Sequence, residues 1–147
     1  GTKFRIGTIN VRTAREVIKL AEYVTHAKNI KQDVCCFQET RRTGNGEIEY
    51  DDEILKGWKV FYSGFKQRSQ GGVGVVLARH IQVEDIIYIE DGRIMCVCII
   101  VNGIKLSVFC CYAPTDTASY SEEIKAAFYR SLKKAMVNVK KQHPTLK

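Results

Sequence analysis

The sequence predicts an α/β fold, a mixed sheet with flanking helices. Three features predict it: a strand–helix–strand unit near the start, an apolar hairpin closed by Asn102-Gly103, and a long amphipathic stretch after it. A length of 147 residues suits one domain.

Residues 4–10 alternate Phe4, Ile6 and Thr8 against Arg5, Gly7 and Ile9, the pattern of a short strand. Thr13 with Glu16 three residues later has the form of a capping box. It predicts a helix from there to about Asn29, with Val17, Leu20, Ala21 and Val24 on one face. Residues 33–38 (DVCCFQ) read as a buried strand. The three elements form a βαβ unit, so the two strands are expected to be parallel. Residues 58–63, 72–78 and 83–90 read as further strands, separated by turn-rich segments at 43–46 and 66–72.

Residues 93–101 and 104–112 flank Asn102-Gly103, the preferred type I′ turn of a two-residue hairpin. Such a loop pairs Val101 with Ile104 and, counting outward, Arg93 with Tyr112. One face then carries Met95, Val97, Ile99, Val101, Ile104, Leu106, Val108 and Cys110, with Arg93 and Tyr112 at its far end. The other carries Ile94, Cys96, Cys98 and Ile100 with Lys105, Ser107, Phe109 and Cys111. Both faces are apolar enough to expect cover, one from a second sheet and the other from helices. Residues 119–141 form the second helix, with Ile124, Ala127, Phe128, Leu132, Ala135, Met136 and Val139 as an apolar stripe. Lys125, Lys133, Lys134, Lys140 and Lys141 lie off the stripe, as on a solvated face, and Pro144 ends the helix.

Hydrophobic residues make up 45% and charged residues 27%, which excludes a disordered or fibrous chain. No apolar run approaches the ~20 residues of a membrane span. No signal-peptide pattern opens the chain, so an intracellular site, nuclear or cytoplasmic, is expected. All six cysteines sit in apolar, strand-like runs without a C-x-x-C pair, and are expected as reduced core thiols. The net charge of +7 is compatible with a polyanionic partner or with a well-solvated surface.

Three polar clusters follow apolar strands: Asn10, Gln38-Glu39-Thr40, and Tyr112-Ala113-Pro114-Thr115. The hairpin register adds Arg93. An amide, a carboxylate, a phenol and a guanidinium on one sheet edge suit a hard cation and a phosphate. Taken singly each has an ordinary reading: a turn residue, an N-cap, a packed aromatic, a turn-adjacent surface charge. Their combination points to chemistry.

TINVRT (8–13), CCFQETRR (35–42), GGVGVVL (71–77), GRIMCVCI (92–99) and SVFCCYAPT (107–115) resemble, in order, the first five motif blocks of the endonuclease/exonuclease/phosphatase superfamily. Their wording is most similar to the endonuclease domains of RTE-clade LINE-type (non-LTR) retrotransposons, and to the craniofacial development protein 2-like proteins derived from such elements. The resemblance implies a four-layer, DNase I-like α/β sandwich and a Mg²⁺- (or Mn²⁺-) dependent DNA endonuclease. It implies that Glu39 binds the metal, that Asn10 supports it, and that Tyr112 contacts the scissile phosphate. Arg93, Arg41 and Arg42 are the candidate contacts to substrate.

The family's later blocks, G-D-x-N and S-D-H, have no counterpart, and His26, His80 and His143 do not fit the second of them. Residues 1–147 thus correspond to about the N-terminal three-fifths of the domain, an incomplete sandwich. Two expectations follow. The chain alone should be nearly inactive, and the inner face of the hairpin should lack its partner sheet and drive self-association. The alternative is a catalytically dead, domesticated remnant that serves as a basic nucleic-acid-binding or interaction module.

Overall fold

The computed structural model describes residues 3–67, 70–114 and 121–144. Its elements are β1 (Ile6–Asn10), α1 (Val17–Asn29), β2 (Val34–Gln38), β3 (Asn45–Glu49), β4 (Lys59–Ser63), β5 (Val73–Leu77), β6 (Gln82–Glu90), β7 (Ile94–Val101), β8 (Ile104–Cys111) and α2 (Glu122–Gln142). They form a five-stranded sheet in the order β1-β2-β5-β4-β3 and a three-stranded sheet in the order β6-β7-β8. β1 and β2 are parallel, as a βαβ crossover requires, and β2 then pairs antiparallel with β5. The sheet is therefore mixed.

β2 and β5 lack polar alternation because both their faces are covered. On one side the Phe37 ring meets Tyr23 of α1 edge-on at 6.0 Å. On the other, the Cys110 thiol of β8 donates to the carbonyls of Phe37 (3.5 Å) and Gly74 (3.4 Å). The hairpin has the expected register, Val101 against Ile104 through Ile94 against Cys111. Asn102 (φ 51°) and Gly103 (φ 77°) supply the two left-handed positions of its turn. Met95, Val97, Ile99, Val108 and Cys110 join the core between the sheets. Cys96, Cys98 and Phe109, on the opposite face, pack with Val139 of α2 and with Ile87 and Ile89 of β6. The layers run α1, five-stranded sheet, three-stranded sheet, α2.

The expected uncovered hairpin face is not found. Val97 and Ile99 are fully buried and Val108 is 8% exposed, because the five-stranded sheet is itself the cover. Nothing in that face supports self-association; only Ile104, at the hairpin tip, is half exposed.

Three local expectations also shift. β3 occupies part of the segment read as a turn at 43–46. Its sequence, NGEIE, has little strand propensity, and its pairing with β4 sets its conformation. In α1 the N-cap is Glu16, not Thr13, and Val17 is exposed, while Leu20, Val24 and Ala27 face the core. Residues 11–16 are held otherwise: Val11 and Ala14 are buried, and the Ala14 N–H donates to the Thr40 carbonyl at 2.9 Å. α2 begins at Glu122, where the Ser121 hydroxyl accepts from the Ile124 N–H at 3.2 Å. Residues 119 and 120, part of the expected helix, lie outside the described residues. Phe128, Ala135 and Val139 are buried, but Ile124 and Met136 are about half exposed, because a three-stranded sheet covers only part of the stripe. The six cysteines are free; all are buried except Cys111, which is partly so.

Candidate active site

One end of the sandwich collects the candidate residues. Asn10 closes β1 opposite Gln38, the last residue of β2, so Asn10 and Glu39 leave neighbouring parallel strands at the same end. From the other sheet, Tyr112 follows β8 and Arg93 precedes β7. The Tyr112 N–H donates to the Arg93 carbonyl at 2.8 Å, extending the hairpin ladder by one pair.

A side-chain hydrogen bond ties the two sheets there: the Tyr112 hydroxyl donates to Glu39 Oε1 at 2.9 Å. Arg93 is buried, at 7% exposure. Its guanidinium donates to the Tyr112 carbonyl at 2.9 Å and lies 5.3 Å from the Tyr112 ring and 5.8 Å from the Phe65 ring. It fixes the tyrosine from behind while Glu39 engages its hydroxyl. A buried guanidinium also contributes fixed positive charge near any anion at this end.

The backbone here is unusual. Arg12, Glu39 and Arg41 have φ of 59°, 58° and 57°, the left-handed region, where a side chain costs roughly 1–2 kcal/mol. Each is held by neighbours. Asn10 Oδ1 accepts from the Arg12 N–H at 3.1 Å. The Arg41 N–H donates to the Gly71 carbonyl at 2.8 Å. Gly72, at φ 93°, brings its backbone against the Thr40 hydroxyl, where a Cβ would collide. The Gly71-Gly72 pair thus allows the chain after β2 and the chain before β5 to approach beside Glu39.

Arg42 and Arg41 differ. Arg42 donates to the carbonyls of Ala14 (3.1 Å) and Arg15 (2.9 Å) and stacks over Tyr62 at 4.5 Å. It is used inside the protein. Arg41 is exposed. Phe65, which flanks Arg93 from a loop after β4, was not legible in sequence; it carries no motif and is found only through a partner distant in the chain. Gln38, named in the polar cluster after β2, accepts from the Thr8 hydroxyl at 2.8 Å and so braces β1 against β2 below Glu39.

Among the described residues no three His, Cys, Asp or Glu side chains stand together as a metal cage. The Glu39 carboxylate with the Asn10 amide oxygen is a set of oxygen donors suited to a hard cation that keeps most of its waters.

No protein-family profile and no curated protein matches the chain. Solved structures do. A truncated TDP2 from Caenorhabditis elegans aligns over 95% of this chain and 57% of its own, with TM-score 0.58 and 17% identity. An AP endonuclease from Archaeoglobus fulgidus aligns over 88% of this chain and 49% of its own, with TM-score 0.57 and 23% identity. The APE2 catalytic domain of Xenopus laevis aligns over 86% of this chain and 51% of its own, with TM-score 0.58 and 16% identity. The chain spans about half the length of these structures. What it shares with them is the fold, a DNase I-like α/β architecture of two sheets with flanking helices.

Proposed function

We propose that residues 1–147 are the N-terminal part of a Mg²⁺-dependent DNA endonuclease of the LINE-retrotransposon type, which nicks a target strand by phosphodiester hydrolysis. The observation that carries the reading is the Tyr112–Glu39 hydrogen bond, which joins the ends of both sheets at the strained turn after β2. The motif blocks and the fold shared with an AP endonuclease support it.

In this reading Glu39 and Asn10 hold Mg²⁺ (or Mn²⁺), which when bound neutralises charge that builds on the phosphate. Tyr112 places its hydroxyl against a non-bridging phosphate oxygen, with Arg93 locking its ring. Arg41, exposed beside Glu39, meets the DNA backbone; the internal contacts of Arg42 make it a positioning residue for the 11–16 segment. Hydrolysis forms a bond from water oxygen to phosphorus and breaks the bond to the leaving strand end. Water must lose a proton and the leaving oxygen must gain one. Those transfers fall to the family's G-D-x-N and S-D-H blocks, and this stretch by itself is expected to show little Mg²⁺-dependent nicking of a supercoiled plasmid.

Metal binding is testable without activity. Titrating ¹⁵N-labelled chain with Mn²⁺ should broaden the amide signals of Asn10, Glu39, Thr40 and Tyr112 first, and Glu39→Gln should abolish that pattern. Broadening that spares this end, or that survives Glu39→Gln, would remove the metal from the site.

A further inference from the structure

The opposite end of the five-stranded sheet holds a cavity of about 270 Å³ with several charged residues in its lining. It is built where β2 begins, β4 begins and β5 ends, three adjacent strands in the sheet, and is closed by the end of α1. Glu39 lies six residues beyond Asp33 along β2, so the two ends are roughly 20 Å apart at ~3.3 Å per residue. A ligand group in one cannot touch the other.

The charges in this cavity are unbalanced. Lys28, Lys31, Lys56 and Arg79 line it, against Asp33 and Glu53. Asp33 is already engaged: its carboxylate accepts from the Arg5 N–H at 2.6 Å and stands 2.8 Å from His80 Nε2. Lys28 is directed inward, donating to the Ile54 carbonyl, which closes the cavity wall. Lys31, Lys56 and Arg79 are exposed, and no described carboxylate stands within salt-bridge distance of them. Lys31 is held at φ 61° just past the end of α1, with its N–H on the Lys28 carbonyl at 3.0 Å, so its place on the rim is fixed by the chain. Ile54, 62% exposed, adds an apolar wall beside the cations. A concave cavity with four cations against two carboxylates, one of them already hydrogen-bonded, favours an anion with several acceptor oxygens.

We propose that this cavity is a phosphate-binding site, separate from the catalytic end, which takes backbone phosphates of a single-stranded nucleic acid with a base against Ile54. It lies at the end of the five-stranded sheet opposite Glu39. It does not rest on the nuclease reading, and Glu39→Gln leaves it intact.

The test is a ¹⁵N titration of the chain with a ten-nucleotide thymidylate strand and, separately, with inorganic pyrophosphate, both without metal. Amides of Lys31, Lys56, Arg79 and His80 should shift with both. Lys31→Glu/Lys56→Glu/Arg79→Glu should weaken the oligonucleotide at least tenfold and lower the slope of log affinity against log salt by about 2, at ~0.7 per lost cation. The matched triple Lys133→Glu/Lys134→Glu/Lys141→Glu on α2 makes the same charge change and should cost less than twofold. Shifts with pyrophosphate alone would keep the site and reassign its ligand to small phosphate compounds. Equal loss in the two triples, or shifts that avoid the cavity, would overturn the proposal.

Discussion

Glu39→Gln should lower metal-dependent nicking by the whole protein at least a hundredfold, on the order of 3 kcal/mol of barrier, and leave thermal stability unchanged within about 0.5 kcal/mol. The substitution separates charge from shape. Gln keeps the side-chain length and an Oε1 that still accepts from the Tyr112 hydroxyl, now at 2.9 Å from Glu39. It adds no backbone strain to a position at φ 58°. What is lost is the negative charge, and with it the anchor for a divalent cation. Glu39→Ala confounds these effects, because it also frees Tyr112 from its partner across the sheets. The decisive comparison is nicking rate and melting temperature on the same preparation. If Glu39→Gln cuts at the wild-type rate, Glu39 holds no metal and the endonuclease reading fails. A matched loss of rate and of stability would make Glu39 a structural tie between the sheets.

That the site end was legible at all follows from how it is built. Asn10, Glu39 and Tyr112 each sit at the end of an apolar strand, so sequence alone placed them at strand termini. The Asn102-Gly103 turn allows little freedom of register, and a fixed register carries Arg93 to Tyr112 by counting. Where the turn did not fix the answer, sequence was a weaker guide. β3 is a strand because β4 offers it a ladder, not because NGEIE prefers to be extended. Missing it hid one edge of the five-stranded sheet. The hairpin looked uncovered for another reason: its partner sheet was expected from the absent G-D-x-N and S-D-H blocks, whereas β2, β4 and β5 already face it. The start of α1 depends on residues 11–16, held by Thr40 and Arg42, which lie about 25 residues on. The same distance hides Phe65 behind Arg93. The strain at Arg12, Glu39 and Arg41 has no sequence signature, since none of them is Gly or Asn.

The buried thiols set an upper limit on the pH at which the fold survives. Burial pushes the Cys35 thiol up to about 12 and Cys111 to about 11, from an ordinary value of 9.0. Burial likewise raises Cys96 and Cys98, and Cys110 is raised by its hydrogen bond with Cys36 and by burial. Below pH 9 both folded and unfolded chains keep these protons, and the thiols are neutral to stability. Above it the unfolded chain releases protons that the folded chain retains, so stability falls as pH rises. The loss continues until the folded values are reached, near pH 11 for Cys111 and pH 12 for Cys35. Each thiol contributes about 1 kcal/mol of loss per pH unit in that window. Cys36 is lowered by the same hydrogen bond that raises Cys110, so that pair largely offsets. The other four together remove several kcal/mol by pH 10, a large part of the about 5–15 kcal/mol typical of a domain. Cooperative unfolding, followed by far-UV circular dichroism under reductant, is therefore expected between pH 10 and 11. Tyrosines ionise in the same range, and burial raises Tyr50 and Tyr88 in the same direction, so the thiol share must be isolated by difference. Cys96→Ala removes one buried thiol and no tyrosine. It should lose about 1 kcal/mol less than wild type between pH 8 and pH 10 in urea titrations, whatever it costs at pH 8. A pH dependence identical to wild type would show that Cys96 ionises alike in both states, and that the core admits a thiolate its packing should exclude.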